Sequence, residues 1–286
     1  AWRTVGRVYE WPKNGFDPKS YALWFYSPHS TGCDVVNTFR ANMGYRPVAR
    51  PAWRESLIHE VDHYMEIAYS MGYRGAVPKI EFPVADGPVL DALPRPLIVL
   101  CNGYFRTSTG YWDKKGWPHF EALAEALRRF FGGSIVGIGG AGELPPGFRC
   151  YANFAGRLTI LETAKVISQA DLVVTTDTGN MHIAAALDIP TVALFGPTLT
   201  SKNAPRGKKA VVLTAGTECA PCQDTARFMT CRDYVCMRSI TAGDVMAVAR
   251  EVMRHDRQRT IDRPRRARAD QGPDAEARQA ACRQAV

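Results

Sequence analysis

The sequence lacks any run of about 18 uncharged apolar residues, the length that crosses a bilayer as a helix. Its longest apolar runs, around Leu97–Cys101 and Thr191–Gly196, are strand-sized. It also lacks a secretion signal, because no apolar core follows the basic start of Ala1-Trp2-Arg3-Thr4-Val5-Gly6. No segment repeats another. No initiator Met is present, so the expectation is a chain that has been processed or whose beginning is missing. Nor is there the shortage of apolar residues that marks a disordered chain, since 46% of residues are hydrophobic and 22% charged. A length of 286 residues exceeds what one compact core usually holds and predicts two domains.

The charges do not balance: the net charge is +8 and the pI about 9.1. The stretch from Asp256 to Val286 carries eight Arg and five acidic residues. It has almost no apolar periodicity and reads as a disordered basic tail over residues 255–286. Such a tail can touch an anionic surface, but its interleaved acids favour a merely solvated segment, and no nucleic-acid partner is expected. Of eight Cys, four are scattered (Cys33, Cys101, Cys150, Cys282) and four are bunched (Cys219, Cys222, Cys231, Cys236). With no secretion signal, the compartment is expected to be reducing and cytoplasmic, and bunched thiols read as ligands before disulfides.

From Leu97 onward strand and helix alternate. Leu97–Cys101, Ile135–Ile138, Leu172–Thr176, Thr191–Phe195 and Val211–Leu213 are apolar runs of strand length. Helices are predicted over His119–Phe131, from Thr159 to about Gln169 behind a capping box, over Gly179–Leu187, and from Thr241 to about Arg254. This alternation predicts an α/β domain with a doubly wound parallel sheet. The first 93 residues are less regular, with strands at Val8-Tyr9 and Ala22–Tyr26 and an amphipathic helix over Trp53–Met71. Breaker-rich segments at Asp86-Gly87-Pro88 and Leu93-Pro94-Arg95-Pro96 put the domain boundary near residue 93.

Two motifs compete for attention. His59-Glu60-Val61-Asp62-His63 matches H-E-x-x-H on a helix, the zinc-peptidase pattern. Against it stand the charged Asp62 between the His pair and the lack of a third ligand on a following helix. Gly137-Ile138-Gly139-Gly140-Ala141-Gly142 matches the dinucleotide fingerprint after a strand. That fingerprint needs a helix at once, and Leu144-Pro145-Pro146-Gly147 is poor helix material. Glu143 stays of interest as a polar group at the end of a strand.

The segment Asp171 to Ala186 reads as strand, tight turn and helix. The turn Asp177-Thr178-Gly179 leaves free N–H groups at a helix start, an anion site at the carboxyl edge of the sheet, with His182 in the first turn. Alone, Asp177 is equally well an N-cap and His182 a packing residue. Phe195-Gly196-Pro197-Thr198 ends the next strand and opens on the same edge. Lys115-Gly116-Trp117-Pro118 follows the Leu97–Cys101 strand, where a lysine reaches a phosphate at that edge.

These elements, in this order, resemble glycosyltransferase family 9, the lipopolysaccharide heptosyltransferases. The resemblance rests on K-x-W-P at Lys115–Pro118, the Gly-rich strand end with Glu143, and Asn153-Phe154-Ala155-Gly156-Arg157-Leu158-Thr159. It continues through D-T-G-x-x-H at Asp177–His182, F-G-P-T at Phe195–Thr198, and the Cys-rich run ending at Met237. It also gives the H-E-x-x-H helix a place in the family without zinc. It covers residues 50–254 well and 1–50 loosely.

The resemblance implies a GT-B fold, two Rossmann-like domains facing a cleft, with residues 1–93 an incomplete acceptor-side domain and 94–254 the donor side. It implies inverting transfer from a nucleotide-diphosphate sugar, typically ADP-heptose, to a lipopolysaccharide-type glycan, with peripheral contact at the inner membrane. Lys115, Asp177 and His182 would be catalytic. Lys115, Glu143, Thr178, Gly179, His182, Gly196 and Thr198 would bind donor. No cofactor is expected for catalysis if the protein itself neutralises the leaving diphosphate. The strand and G-D turn that carry the family's general base have no counterpart before Val8, so slow transfer or a donor-binding pseudo-enzyme is the alternative expectation. Cys219, Cys222, Cys231 and Cys236 are spaced as a tetrathiolate site for structural zinc, or iron. Four reduced thiols are the plainer reading.

Overall fold

A computed structural model describes residues 58–62, 65, 69, 73–84, 86–103, 113–144, 147–223 and 225–261. The strands expected at Val8-Tyr9 and Ala22–Tyr26, and the basic segment beyond Ile261, lie outside the described residues. The compact unit considered below begins at His59.

Six parallel strands form its sheet: β1 (Leu97–Cys101), β2 (Ser134–Ile138), β3 (Ala152–Asn153), β4 (Leu172–Thr176), β5 (Thr191–Phe195) and β6 (Ala210–Thr214). Their order is β3-β2-β1-β4-β5-β6. The chain first winds outward through β2 to β3, then returns to the other side of β1 and winds outward again. β1 and β4 therefore flank the point where the winding direction reverses, which in such sheets opens a crevice at the carboxyl ends of the strands. Their register pairs Cys101 with Thr175, so the chain leaves both strands at the same level.

β1, β2, β4 and β5 are buried along their whole length, which explains their unbroken apolar runs. Side chains alternate between two cores. Ile98, Leu100, Ile135, Leu172 and Val174 pack with Leu123 and Leu127 of α1 (Phe120–Phe131) and with Val245 and Ala249. Leu97, Val99, Val136 and Val173 pack on the opposite face with Ala164 and Ile167 of α2 (Ile160–Ser168) and Ala184 of α3 (Gly179–Ala186). Edge strand β6 is only half covered.

The helix signals act as the sequence indicates. Thr159 and Glu162 close a reciprocal capping box at the start of α2, and Gly132 ends α1 in the left-handed conformation at φ 69°. Short helices α4 (Thr200–Asn203), α5 (Ala226–Thr230) and α6 (Val235–Arg238) precede α7 (Ala242–Ile261). Thr241 and Asp244 exchange hydrogen bonds at the start of α7. That helix runs to Ile261, seven residues past the expected end. Lys209 helps hold the extension, its ammonium 2.6 Å from the Asp256 carboxylate. Residues 256–261, read in the sequence as the start of a tail, are therefore helical. Residues 60–62, 65 and 69 are helical too, within the span expected for the amphipathic helix.

Candidate functional site

The loop after β1 and the loop after β4 bring Lys115 and Asp177 together. The Lys115 ammonium lies 3.2 Å from Asp177 Oδ2, and both side chains are largely buried, 15% and 7% exposed. Two sequence motifs that carry little weight singly thus meet at the switch point of the sheet. Lys115 sits on a 3-10 turn, Asp113–Lys115. That turn is followed by Gly116, whose N–H donates to Asp113 O, and by the fully buried Trp117.

α3 starts at Gly179 with Thr178 as its N-cap. Thr178 does not cap with its side chain; its hydroxyl instead lies 3.3 Å from the Thr175 hydroxyl. The Met181 N–H donates to Thr178 O, which leaves the Gly179 and Asn180 N–H groups without a side-chain cap from Thr178. A Cβ added at Gly179 would meet no atom of the described residues within 4 Å. His182 closes the first turn, partly open to solvent but with its ring crowded by neighbouring atoms. Loss of hydration holds its imidazole below the ordinary value, Asp177 opposes this, and the neighbouring His59 and Lys115 add to it. The ring is accordingly neutral at pH 7.

On the other side, Glu143 folds back on the Gly-rich turn after β2. Its Oε2 accepts the Gly140 N–H at 2.6 Å. Gly139 there has φ 141°, a conformation that excludes side chains. No helix follows this turn among the described residues, as the prolines predicted. After β5, Gly196 has a packing reason to be glycine, because a Cβ would stand 2.4 Å from Met237 Sδ. Thr198 is 2% exposed, and its hydroxyl has no hydrogen-bond partner among the described residues, nor does Oε1 of the adjacent buried Gln223. Both lie by the loop that Cys222 and Gln223 clasp through their N–H groups on Pro197 O.

The H-E-x-x-H reading is corrected by the ring of His59. Val61 N–H donates to its Nδ1, so Nε2 carries the proton and donates to Ala204 O at 2.8 Å. Neither nitrogen keeps a lone pair for zinc. Asp62 pairs with Arg206, and the side chain of His63 lies outside the described residues.

The four bunched thiols share one neighbourhood. Burial and the neighbouring Cys222, Cys219 and Cys231 push Cys236 up to about 11. Cys222 is raised by burial and by Cys231 and Cys219. Yet no three or more His, Cys, Asp or Glu among the described residues are gathered closely enough to hold a metal. In this geometry the donor set is of the right chemistry but not drawn together.

Sequence reasoning missed two parts of the site. Asn102, the residue after β1, carries no motif, yet its carboxamide grips the backbone of Trp117. Lys114 lies 5.0 Å over the ring of Phe228 and is 5% exposed, where a solvent-facing lysine would be expected.

The sequence matches the profile of glycosyltransferase family 9 (heptosyltransferase) over residues 54–232. It is 38% identical over 119 residues to lipopolysaccharide heptosyltransferase 1 of Pseudomonas aeruginosa, covering 39% of this chain and 33% of that protein. To lipopolysaccharide heptosyltransferase 2 of Salmonella typhimurium it is 28% identical over 231 residues, covering 68% and 62%. The chain thus spans between one third and two thirds of these relatives. The structure of E. coli ADP-heptose lps heptosyltransferase II superposes with a TM-score of 0.52 at 22% identity, over 70% of this chain and 63% of that one. This likeness bears out the α/β, GT-B fold class for the described part. TibC of enterotoxigenic E. coli is an iron-containing dodecameric glycosyltransferase, but a TM-score of 0.47 at 19% identity lends nothing to a metal here.

Proposed function

This chain belongs to glycosyltransferase family 9, and from that premise we propose that it binds a nucleotide-diphosphate sugar, ADP-heptose by preference, and transfers the sugar with inversion to a lipopolysaccharide-type glycan. The single observation that carries the reading is the meeting of Lys115 and Asp177 at the switch point, beside an uncapped helix start. Negative charge grows on a diphosphate as it leaves a sugar. A positioned ammonium and free helix N–H groups offset that charge without a metal. Asp177 holds the lysine in place before donor arrives.

In this reading His182 and Thr198 contact the diphosphate or the sugar, and Glu143 a ribose or base hydroxyl. The backbone at Thr178, Gly179 and Gly196 lines the site. Glu143 is held at the Gly-rich turn by the Gly140 N–H on its Oε2, which sets its carboxylate at the end of β2, where this reading puts the nucleoside. We assign residues 94–254 to the donor side and 1–93 to the acceptor side, where the base that deprotonates the acceptor hydroxyl is to be sought. A structural zinc or iron on Cys219, Cys222, Cys231 and Cys236 belongs to the same proposal. It is supported by the thiols sensing one another, and it requires the segment to draw them together.

Among the described residues no helix is long and apolar enough to cross a membrane. We propose a cytoplasmic protein acting at the inner face of the inner membrane, where such an acceptor would be presented. The test is release of ADP from ADP-heptose with heptose-deficient lipopolysaccharide core as acceptor, beside calorimetric binding of ADP. Binding without release favours a donor-binding pseudo-enzyme, and no nucleotide binding at all overturns the reading.

A further inference from the structure

The turn that bears Lys115 is three residues long, and such turns hold their shape poorly alone. Two residues on, the chain is clasped at Trp117. Asn102, 8% exposed, stands directly after β1. Its Oδ1 accepts the Trp117 N–H at 2.8 Å, and its Nδ2 donates to the Trp117 carbonyl at 3.0 Å. One carboxamide thus satisfies both backbone groups of a single residue, as a paired strand would. The indole of Trp117 is locked in turn, its Nε1–H donating to Ile240 O at 2.8 Å. β1 is buried along its length and paired on both sides, so Asn102 is anchored to a fully buried central strand.

We propose that Asn102 is a positioning residue: its two-point grip on Trp117 sets the place of the Lys115 ammonium against Asp177. The inference deepens the donor-binding reading, and its value for catalysis rests on that reading. The specificity of the grip lies in needing a donor and an acceptor at once. Aspartate supplies two acceptors and serine a single hydroxyl, so neither reproduces it. Asn102 touches no part of a donor in this account and acts only through Lys115.

The test has one arm that needs no donor. Lysines are dimethylated with a 13C label, and the Lys115 resonance is identified by its loss in Lys115→Arg. In Asp177→Asn the resonance moves as the ion pair is lost. In Asn102→Ala it is expected to move to the same place, with Lys165 unmoved as a distant control. Asn102→Ser serves should the alanine variant fail to fold, with a shift in the same direction. An unmoved Lys115 resonance in a folded Asn102 variant overturns the proposal.

The second arm measures ADP affinity in a double-mutant cycle. Asn102→Ala is expected to weaken ADP at least tenfold in the parent and less than twofold in Lys115→Ala. Equal losses in both backgrounds would show a general structural role and overturn the proposal. Should the unaltered protein bind no ADP, the donor reading falls while the resonance arm still decides on Asn102.

Discussion

The ammonium of Lys115 lies 3.2 Å from the carboxylate of Asp177, although 62 residues separate them in sequence. The pair brings the loops after β1 and β4 into one site. Each charge is largely out of water, so each compensates the other's desolvation. In the donor-binding reading, an arriving diphosphate would meet a lysine already placed.

Lys115→Ala is therefore expected to weaken ADP by about 1.5–3 kcal/mol, the scale of one charge-assisted contact, or roughly ten- to 150-fold. It also leaves Asp177 buried without this partner, so the melting temperature falls as well. Calorimetry and thermal unfolding on the same variant check both. Unchanged ADP affinity would remove Lys115 from the site.

How far the sequence reveals this site depends on the kind of interaction. Strands β4 and β5 and the capping box at Thr159 are local, and local periodicity and spacing locate them. The Lys115–Asp177 pair follows from topology, because the loop after β1 and the loop after β4 must share an edge once the sheet order is known. Asn102 is invisible for the opposite reason. It works by gripping a backbone, and nothing in the type of a gripped residue betrays the grip. Lys114 is hidden in the same way: it carries no motif, and only the fold shows it buried over the ring of Phe228. The segment around Gly196 shows the converse: the family resemblance makes its glycine a donor-binding position, while the structure supplies two sulfurs that need its space.

His182 gives a pH dependence with a definite sign. Its imidazole is held below the ordinary 6.5, chiefly by loss of hydration. Between that lowered value and 6.5 the unfolded chain binds a proton that the folded chain refuses. The contribution of His182 to stability is thus fully present above pH 6.5 and declines as pH falls through this window. A bound diphosphate acts in the other direction, its charge favouring the imidazolium. ADP binding is expected to take up a proton at His182 and to strengthen as pH falls through 6.5. The terminal phosphate of ADP titrates here too, so the measurement is the difference between the protein and His182→Gln, by calorimetry in buffers of different ionisation enthalpy. Identical proton uptake in both would exclude His182 from the phosphate.

Gly196→Ala tests whether the Cys-rich segment supports the loop after β5. The new methyl would meet Met237 Sδ at 2.4 Å and Cys236 Sγ at 3.1 Å, and Met237 is 1% exposed. Overpacking of this kind costs about 1–3 kcal/mol. The melting temperature should fall by several degrees, and Met237→Ala in the same chain should restore part of the loss. Losses that simply add would show that the two residues do not compete for one space.

The thiols decide the last prediction. Cys236, pushed up to about 11, and Cys222, also raised, are protonated at pH 7 when no metal is present. Burial is the first cause for both, and neighbouring thiols add to it. Neutral thiols at Cys222 and Cys236 carry no charge to repel one another, which is how the segment tolerates them without a ligand. A metal reverses this balance, because its charge compensates four thiolates and closes the loops between them. Protein purified under reducing conditions is therefore expected to carry about one zinc or iron per chain. Loading must expel the thiol protons, so metal affinity should drop steeply as pH falls below 7. Chelation should lower the melting temperature and, through the Pro197 carbonyl that Cys222 and Gln223 hold, weaken ADP as well. Reduced, chelator-free protein with no metal by elemental analysis, and no rise in melting temperature on adding zinc, would leave four packed thiols and no metal site.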